Sequence, residues 1–92
     1  MSDKQDCIKF FKALANDERI EIIQLLRKNH EMCAQDVEKC FYLEQSTTSH
    51  HLNTLKKAGV IKSRKEGRKV IYSVDDASLK SLWALVSQLV LG

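Results

Sequence analysis

Residues 45–59 carry a group of hydrogen-bonding side chains that could read a nucleic acid. Ser46, Ser49, His50 and Asn53 fall on one side of a predicted helix, and that side has no carboxylate and no large apolar group. Hydroxyl, amide and imidazole groups can hydrogen-bond to base edges and to phosphate oxygens. The opposite side is a narrow inward face formed by Thr48, His51, Leu52 and Leu55. The pattern therefore predicts a helix that lies against an anionic partner, with His51 as a hydrogen-bonded histidine of the core.

Basic residues are concentrated around and after this helix. Residues 45–72 hold seven lysines and arginines against one glutamate, a net charge of +6, whereas the whole chain carries only +3. A local basic block in a nearly neutral chain is typical of a surface that binds a polyanion. The alternative is a charged face that is merely solvated.

The predicted helices and strands that must position these groups follow from changes in apolar periodicity. Before residue 60 the period is helical, and helices are predicted over residues 4–15, 17–29, 33–41 and 45–59. The last two are separated by only three or four residues, and the second has a polar outer face. This arrangement is typical of a helix-turn-helix.

After Gly59 the period changes to that of a β-strand. Residues 60–65 and 68–74 are predicted to form a hairpin around Glu66 and Gly67, where glycine supplies the positive φ of a tight turn. Four cations surround this turn: Arg64, Lys65, Arg68 and Lys69. A basic hairpin directly after a helix-turn-helix is a wing. A final helix, capped by Asp75 or Asp76, is predicted to run to about residue 91.

The fold predicted for residues 1–92 is a single, mainly α domain with a small β-hairpin. It is a winged helix-turn-helix of about five helices and a two-stranded wing. The first and last helices carry more apolar surface than a domain of this size can cover, and large exposed patches are rare in monomers. We therefore predict a homodimer with an interface formed by Phe10, Phe11, Leu82, Trp83, Leu85, Val86 and Leu89. The alternative is that Trp83 covers the hairpin.

A two-fold dimer would place two of these helices in successive major grooves, about 34 Å apart. The partner predicted in this way is double-stranded DNA with an imperfect palindrome. Base contacts are predicted from Gln45, Ser46, Thr47, Ser49 and His50, and phosphate contacts from Lys57, Arg64, Lys65, Arg68 and Lys69.

Other functional classes find little support in the composition. The sequence has no visible carboxylate pair, no nucleophile with a base and no glycine-rich phosphate loop, so an enzyme is not predicted. No apolar run approaches the roughly 20 residues of a membrane span. The polar N-terminus and the odd number of cysteines, three, predict a protein of the reducing cytoplasm.

Several segments resemble one known family in their order of residues. Residues 12–26 read KALANDERIEIIQLL, which resembles the opening signature of the ArsR/SmtB family of bacterial winged-helix repressors. Residues 43–52, LEQSTTSHHL, are similar to its recognition-helix motif, and residues 68–72 to its second wing strand. The resemblance implies a dimeric repressor that leaves operator DNA when an effector, often a metal ion, binds. Two positions depart from the family pattern: Tyr42 replaces the usual turn glycine, and Glu44 replaces the usual serine cap, so that Ser46 is the alternative cap.

The family's metal-sensing motifs are incomplete in this chain. The Cys-x-Cys pair of the third helix is reduced to Cys33 with Gln35, and only Asp76 remains of the motif on the last helix. No metal site is predicted, since zinc needs about four donors. Cys40 is predicted to be a core residue.

The remaining hypothesis for an effector is a pair of thiols. Cys7 with Cys33 could bind a soft metal ion or form a redox pair, and the alternative is that these cysteines are inert. The sequence thus predicts a sequence-specific repressor released by a soft metal ion or by thiol oxidation. An effector-free regulator and a winged-helix module for protein interaction are the alternatives.

Overall fold

Five helices and three short strands make up the fold in a computed structural model that describes residues 2–92. In chain order they are α1 (Asp3–Leu14), α2 (Asp17–Asn29), β1 (Met32–Cys33), α3 (Ala34–Phe41), α4 (Gln45–Lys57), β2 (Ile61–Glu66), β3 (Lys69–Val74) and α5 (Asp76–Leu91). The predicted winged helix-turn-helix is confirmed, because α3 and α4 are followed by the β2–β3 hairpin. Within these residues, no helix has the length and apolar character needed to cross a membrane.

Side-chain caps define where three of the helices begin. Ser2 accepts a hydrogen bond from the backbone of Gln5 at the start of α1, and Asn16 caps α2 in the same way. Asp75, one of the two predicted caps, accepts from the backbone N–H of Ser78 at the start of α5. Each cap satisfies a backbone donor that would otherwise have no partner within the helix. The breaks between helices are therefore encoded locally.

The turn between α3 and α4 is unusual in both of the positions that depart from the family pattern. Tyr42 adopts the left-handed conformation (φ 53°, ψ 35°), which costs a non-glycine residue roughly 1 kcal/mol or more. Glu44 occupies the N-cap position of α4 without a capping hydrogen bond from its side chain. The alternative start at Ser46 is wrong, since α4 begins at Gln45.

The sheet has the strand order β1-β3-β2 and is antiparallel throughout. The predicted wing hairpin is confirmed, with Glu66 opposite Lys69 and a two-residue turn in which Gly67 has φ 64°. Glycine at the first turn position is the pattern of a type II′ turn. The predicted two-stranded sheet was incomplete, because β1 pairs Met32 with Tyr72 and Cys33 with Ile71. A two-residue strand is too short to show any periodicity.

The hydrophobic core lies between the helices and the base of the hairpin. Its buried members are Phe10, Ala13, Ile22, Leu26, Val37, Leu52, Leu55, Ala58, Val60, Ile61, Val74 and Leu82. All four residues of the predicted inward face of α4 are buried, so that prediction is confirmed. Burial of this face holds the recognition helix against the body of the domain.

Two residues assigned to the dimer interface belong instead to the core of one chain. Phe10 is only 2% exposed, and its ring meets the Trp83 ring edge-on at 5.6 Å between centroids. Leu82 is also buried. α1 is apolar on two sides, and its buried side runs through Cys7, Phe10 and Ala13, whereas Phe11 lies on the exposed side.

The predictions for the third helix also need correction. Cys33 lies in β1 and in the N-cap position of α3 rather than within the helix. Cys40, predicted to be a core residue, is exposed. The helix is only eight residues long, and Val37 is its buried residue, so its buried face is narrower than the spacing suggested.

Candidate nucleic-acid interface

The outer face of α4 presents polar side chains to solvent along its length. Ser46, Ser49, His50 and Asn53 are all exposed, as the sequence predicted, and Gln45 is exposed at the first position of the helix. Thr47 is half-buried at the flank, so its side chain is the least accessible of the five predicted base readers. Lys56 and Lys57 are exposed in the last turn. One continuous polar ridge with a basic end therefore projects from the domain.

His51 anchors the inner side of this ridge. Its ring is 5% exposed, with Nδ1 3.2 Å from Nη1 of Arg19 and Nε2 3.2 Å from Oε1 of Glu18. The prediction of a hydrogen-bonded core histidine is confirmed. Its partners were not predicted, because both lie on α2, more than 30 residues earlier in the chain. Thr48, the neighbouring buried polar residue, has a hydroxyl without a hydrogen-bond partner among the described residues.

Two further residues stand at the entrance of the recognition helix, and neither was predicted to contact DNA. The Tyr42 side chain is 95% exposed in the α3–α4 turn. The Glu44 side chain is exposed at the N-terminus of α4, where the helix dipole favours a negative charge. Their departure from the family pattern could have indicated these two residues in the sequence, since Tyr42 replaces the usual turn glycine and Glu44 replaces the usual serine cap.

The tip of the wing has three cations available for phosphate and one that is already paired. Lys65, Arg68 and Lys69 are exposed and have no carboxylate partner within residues 2–92. Arg64 instead donates to both carboxylate oxygens of Glu31, at 2.7 and 3.0 Å, and to Glu66 at 2.8 Å. The geometry thus assigns Arg64 to holding the wing against the α2–β1 connection.

This pairing changes the ionisation of both partners. The hydrogen bonds from Arg64, and then its positive charge, hold the pKa of Glu31 below the 4.5 of an ordinary glutamate. The carboxylates of Glu31 and Glu66 raise the pKa of Arg64 above its usual value. Both groups are therefore charged near neutral pH.

We expect Glu31→Gln to lower the thermal stability at neutral pH and to have less effect in acid. Because the pKa of Glu31 is lower in the folded state, its contribution is complete above pH 4.5 and is lost as the pH falls through the folded-state value. The effect should be small, since the pair is exposed to solvent. Thermal unfolding of both proteins at about pH 7 and about pH 3 measures it. An equal difference in Tm at the two pH values would show that ionisation of Glu31 contributes nothing.

The cysteines are not arranged as a metal site within one chain. Cys7 and Cys33 are buried, and the Cys33 thiol donates to Oδ2 of Asp36 at 3.2 Å. Asp76, the remaining acid of the family's motif on the last helix, is bound to Arg27 at 2.8 Å. No group of three or more histidine, cysteine or acidic side chains in the described part of the chain could hold a metal ion. The donors of a zinc site, about four, are therefore not brought together among the described residues of one chain.

An apolar surface lies on the side formed by α1 and α5. Trp83 is 59% exposed and Leu89 is 50% exposed, and Phe11 and Val90 are also exposed. An open groove of about 480 Å³ on α5 is lined by Trp83, Ala84, Val86, Ser87, Val90 and Leu91. Of the residues predicted for the dimer interface, Phe11, Trp83 and Leu89 are thus accessible, while Leu85 and Val86 are half-buried.

Comparison with known proteins gives consistent matches. Residues 16–63 match the model of a family described as bacterial regulatory protein, arsR family. The chain is 44% identical over 77 residues to a CadC homolog of Staphylococcus aureus, named a cadmium resistance transcriptional regulatory protein, with 84% of this chain and 64% of the relative covered. The chain thus spans somewhat less than two thirds of that relative's length. It is 38% identical to an uncharacterized HTH-type transcriptional regulator of Methanocaldococcus jannaschii, covering 97% of this chain and 100% of the relative.

A solved structure agrees with these matches. The homodimeric winged helix-turn-helix DNA-binding domain of a possible ArsR-family transcriptional regulator from Mycobacterium bovis superimposes with a TM-score of 0.76. Its sequence identity is 28%, and the match covers 92% of this chain and 78% of that one.

Proposed function

The chain belongs to the arsR family of bacterial regulatory proteins, and on that premise we propose that it is a dimeric transcriptional repressor that binds operator DNA in the cytoplasm. The observation that carries this proposal is the exposed polar ridge of α4 beside a wing whose tip has three cations with no carboxylate partner among the described residues. The helix offers hydrogen-bonding groups that can read base edges, and the wing offers charges that can neutralise phosphates.

The dimer is proposed from the apolar surface of α1 and α5. Exposed Phe11, Trp83 and Leu89 would be covered by the same surface of a second copy, as a two-fold axis requires. Two copies of α4 could then enter successive major grooves, and the operator would be an imperfect palindrome. The M. bovis domain is described as homodimeric, which supports this arrangement.

Base reading is assigned to the middle of the exposed ridge, at Ser49 and His50. We expect the double substitution Ser49→Ala with His50→Ala to lower affinity for a selected operator by at least about 30-fold, since two lost base contacts at about 1–3 kcal/mol each amount to about 2 kcal/mol or more. Affinity for a scrambled duplex should change little, because these side chains carry no net charge when the imidazole is neutral. Fluorescence anisotropy on both duplexes measures the two affinities.

The matched control for this experiment is Gln24→Ala, an exposed polar substitution on α2. It should leave both affinities unchanged. Equal losses on operator and scrambled DNA would show that Ser49 and His50 do not read bases. If the wild-type protein binds no duplex at all, the alternative of a protein-interaction module is favoured. The three exposed cations at the tip of the wing, which have no carboxylate partner among the described residues, have no evident use in that role.

For the means of release, we propose the effector-free alternative. Cys7 and Cys33 are on different elements and both are buried. A soft metal ion or an oxidant would have to reach buried thiols, whereas the exposed thiol is Cys40. We therefore propose operator binding that requires no metal ion in this chain, whatever signal ends it.

A further inference from the structure

Arg19 joins two helices that the proposed function uses for different purposes. Its Nε donates to the carbonyl of Ala13 at 2.7 Å, and its Nη2 donates to the carbonyl of Lys12 at 3.1 Å, at the end of α1. Its Nη1 lies 3.2 Å from Nδ1 of His51, in the middle of α4. One guanidinium therefore connects the C-terminus of α1 with the recognition helix. Glu18, the preceding residue, closes the network through Nε2 of His51 at 3.2 Å.

The chemistry of these groups allows a single protonation pattern. A guanidinium has donors and no acceptor, so Nδ1 of His51 must accept the hydrogen bond from Arg19. Nε2 then carries the ring proton and donates it to the carboxylate of Glu18. Both nitrogen atoms of the imidazole therefore have partners. Turning the ring or sliding α4 by a fraction of an ångström would weaken both hydrogen bonds, because they depend steeply on distance and angle.

The remaining contacts of the inner face are less directional. Leu52 and Leu55 are fully buried, and apolar contacts resist separation of the helix from the core more than rotation or sliding. Thr48 is buried with no hydrogen-bond partner for its hydroxyl among the described residues, so it adds no directional contact. The directional contacts on this face thus come from His51.

We propose that Arg19 and His51 are positioning residues that set the angle and spacing of the two recognition helices in the dimer. The inference rests on the proposed function, since it assumes that α1 belongs to the dimer interface and that α4 reads DNA. The dimer interface would fix the end of α1, and Arg19 would fix the position of α4 relative to α1, because it contacts both helices. Recognition sites require placement of side chains to within about 0.5 Å, which depends on supporting hydrogen bonds as well as on packing.

The test uses a palindrome selected by the wild-type protein from random duplexes, together with a single half-site and palindromes whose half-site spacing is altered by one base pair. His51→Leu keeps an apolar group in the core and removes both hydrogen bonds. We expect it to lower affinity for the palindrome at least about tenfold. Its affinity for the half-site and its salt dependence should be unchanged, and its preference for half-site spacing should broaden.

Two further variants separate positioning from folding. His51→Gln can still accept one hydrogen bond and donate another, and it should recover most of the affinity for the palindrome. Arg19→Gln changes a partly exposed residue, and it should also broaden the preference for half-site spacing. This variant therefore tests the proposal even if His51→Leu fails to fold. Sedimentation should show an unchanged dimer in each case.

Equal losses on palindrome and half-site, or an unchanged spacing preference, would overturn the proposal. Failure of the wild-type protein to bind any of the duplexes would instead count against the proposed function. The two failures are therefore distinguishable in one set of measurements.

Discussion

Replacing Lys65, Arg68 and Lys69 together with alanine is expected to weaken binding to every DNA duplex, on the order of 10³-fold at physiological salt. These three wing cations are exposed and have no carboxylate partner among the described residues, so they can neutralise phosphates. Each lost phosphate contact lowers the slope of log K against log salt by about 0.9. With two wings in a dimer, the slope should fall by up to about 5. Titrations of operator and scrambled duplexes at several salt concentrations measure it.

The paired cation of the wing supplies the matched control. Arg64→Ala combined with Glu31→Gln removes one positive and one negative charge together, and so leaves the net charge unchanged. Because Arg64 is already held by Glu31 and Glu66, we expect this variant to change the salt slope by less than one phosphate contact. From the sequence, all four basic residues were equivalent. A triple variant with the wild-type salt slope would show that the wing does not touch the DNA backbone.

Introducing a charge into the apolar surface of α5 is expected to abolish operator binding by breaking the dimer. Leu89 is 50% exposed in one chain, so Leu89→Glu should cost the monomer little. In the proposed interface the same carboxylate would lose its water against the partner's apolar side chains, and burying an unpaired charge is costly. Affinity for the palindrome should approach that for non-specific DNA, a loss of about 10³-fold or more.

Sedimentation and DNA binding must be measured on the same samples to test this. Gln24→Glu adds the same charge on the exposed side of α2 and should leave both the dimer and operator affinity intact. A wild-type protein that is monomeric at micromolar concentration would remove the dimer from the proposal. A Leu89→Glu protein that remains dimeric would place the interface elsewhere.

Local patterns in the sequence were sufficient for the elements that carry the interface. The inward face of α4 could be predicted because Thr48, His51, Leu52 and Leu55 recur at helical spacing, and all are buried. The wing could be predicted because the apolar period changes to two and Gly67 permits the turn. Helix starts at Asn16 and Asp75 follow from side chains that bond to their own backbone a few residues ahead. Each of these signals is contained within one short stretch of consecutive residues.

Only the tertiary structure decided which polar and apolar side chains already contact other parts of the chain. Arg64 meets Glu31 across 33 residues, and Arg19 meets His51 across 32, so no local pattern could indicate either contact. Phe10 and Phe11 are adjacent and chemically identical, yet the packing of α1 against α5 buries the first and exposes the second. Periodicity reports which side of an element faces inward, but ion pairs and hydrogen bonds between distant residues depend on the distances between packed elements. The sequence by itself thus determined the recognition helix and the wing, and the packing decided that the tip of the wing offers three cations rather than four.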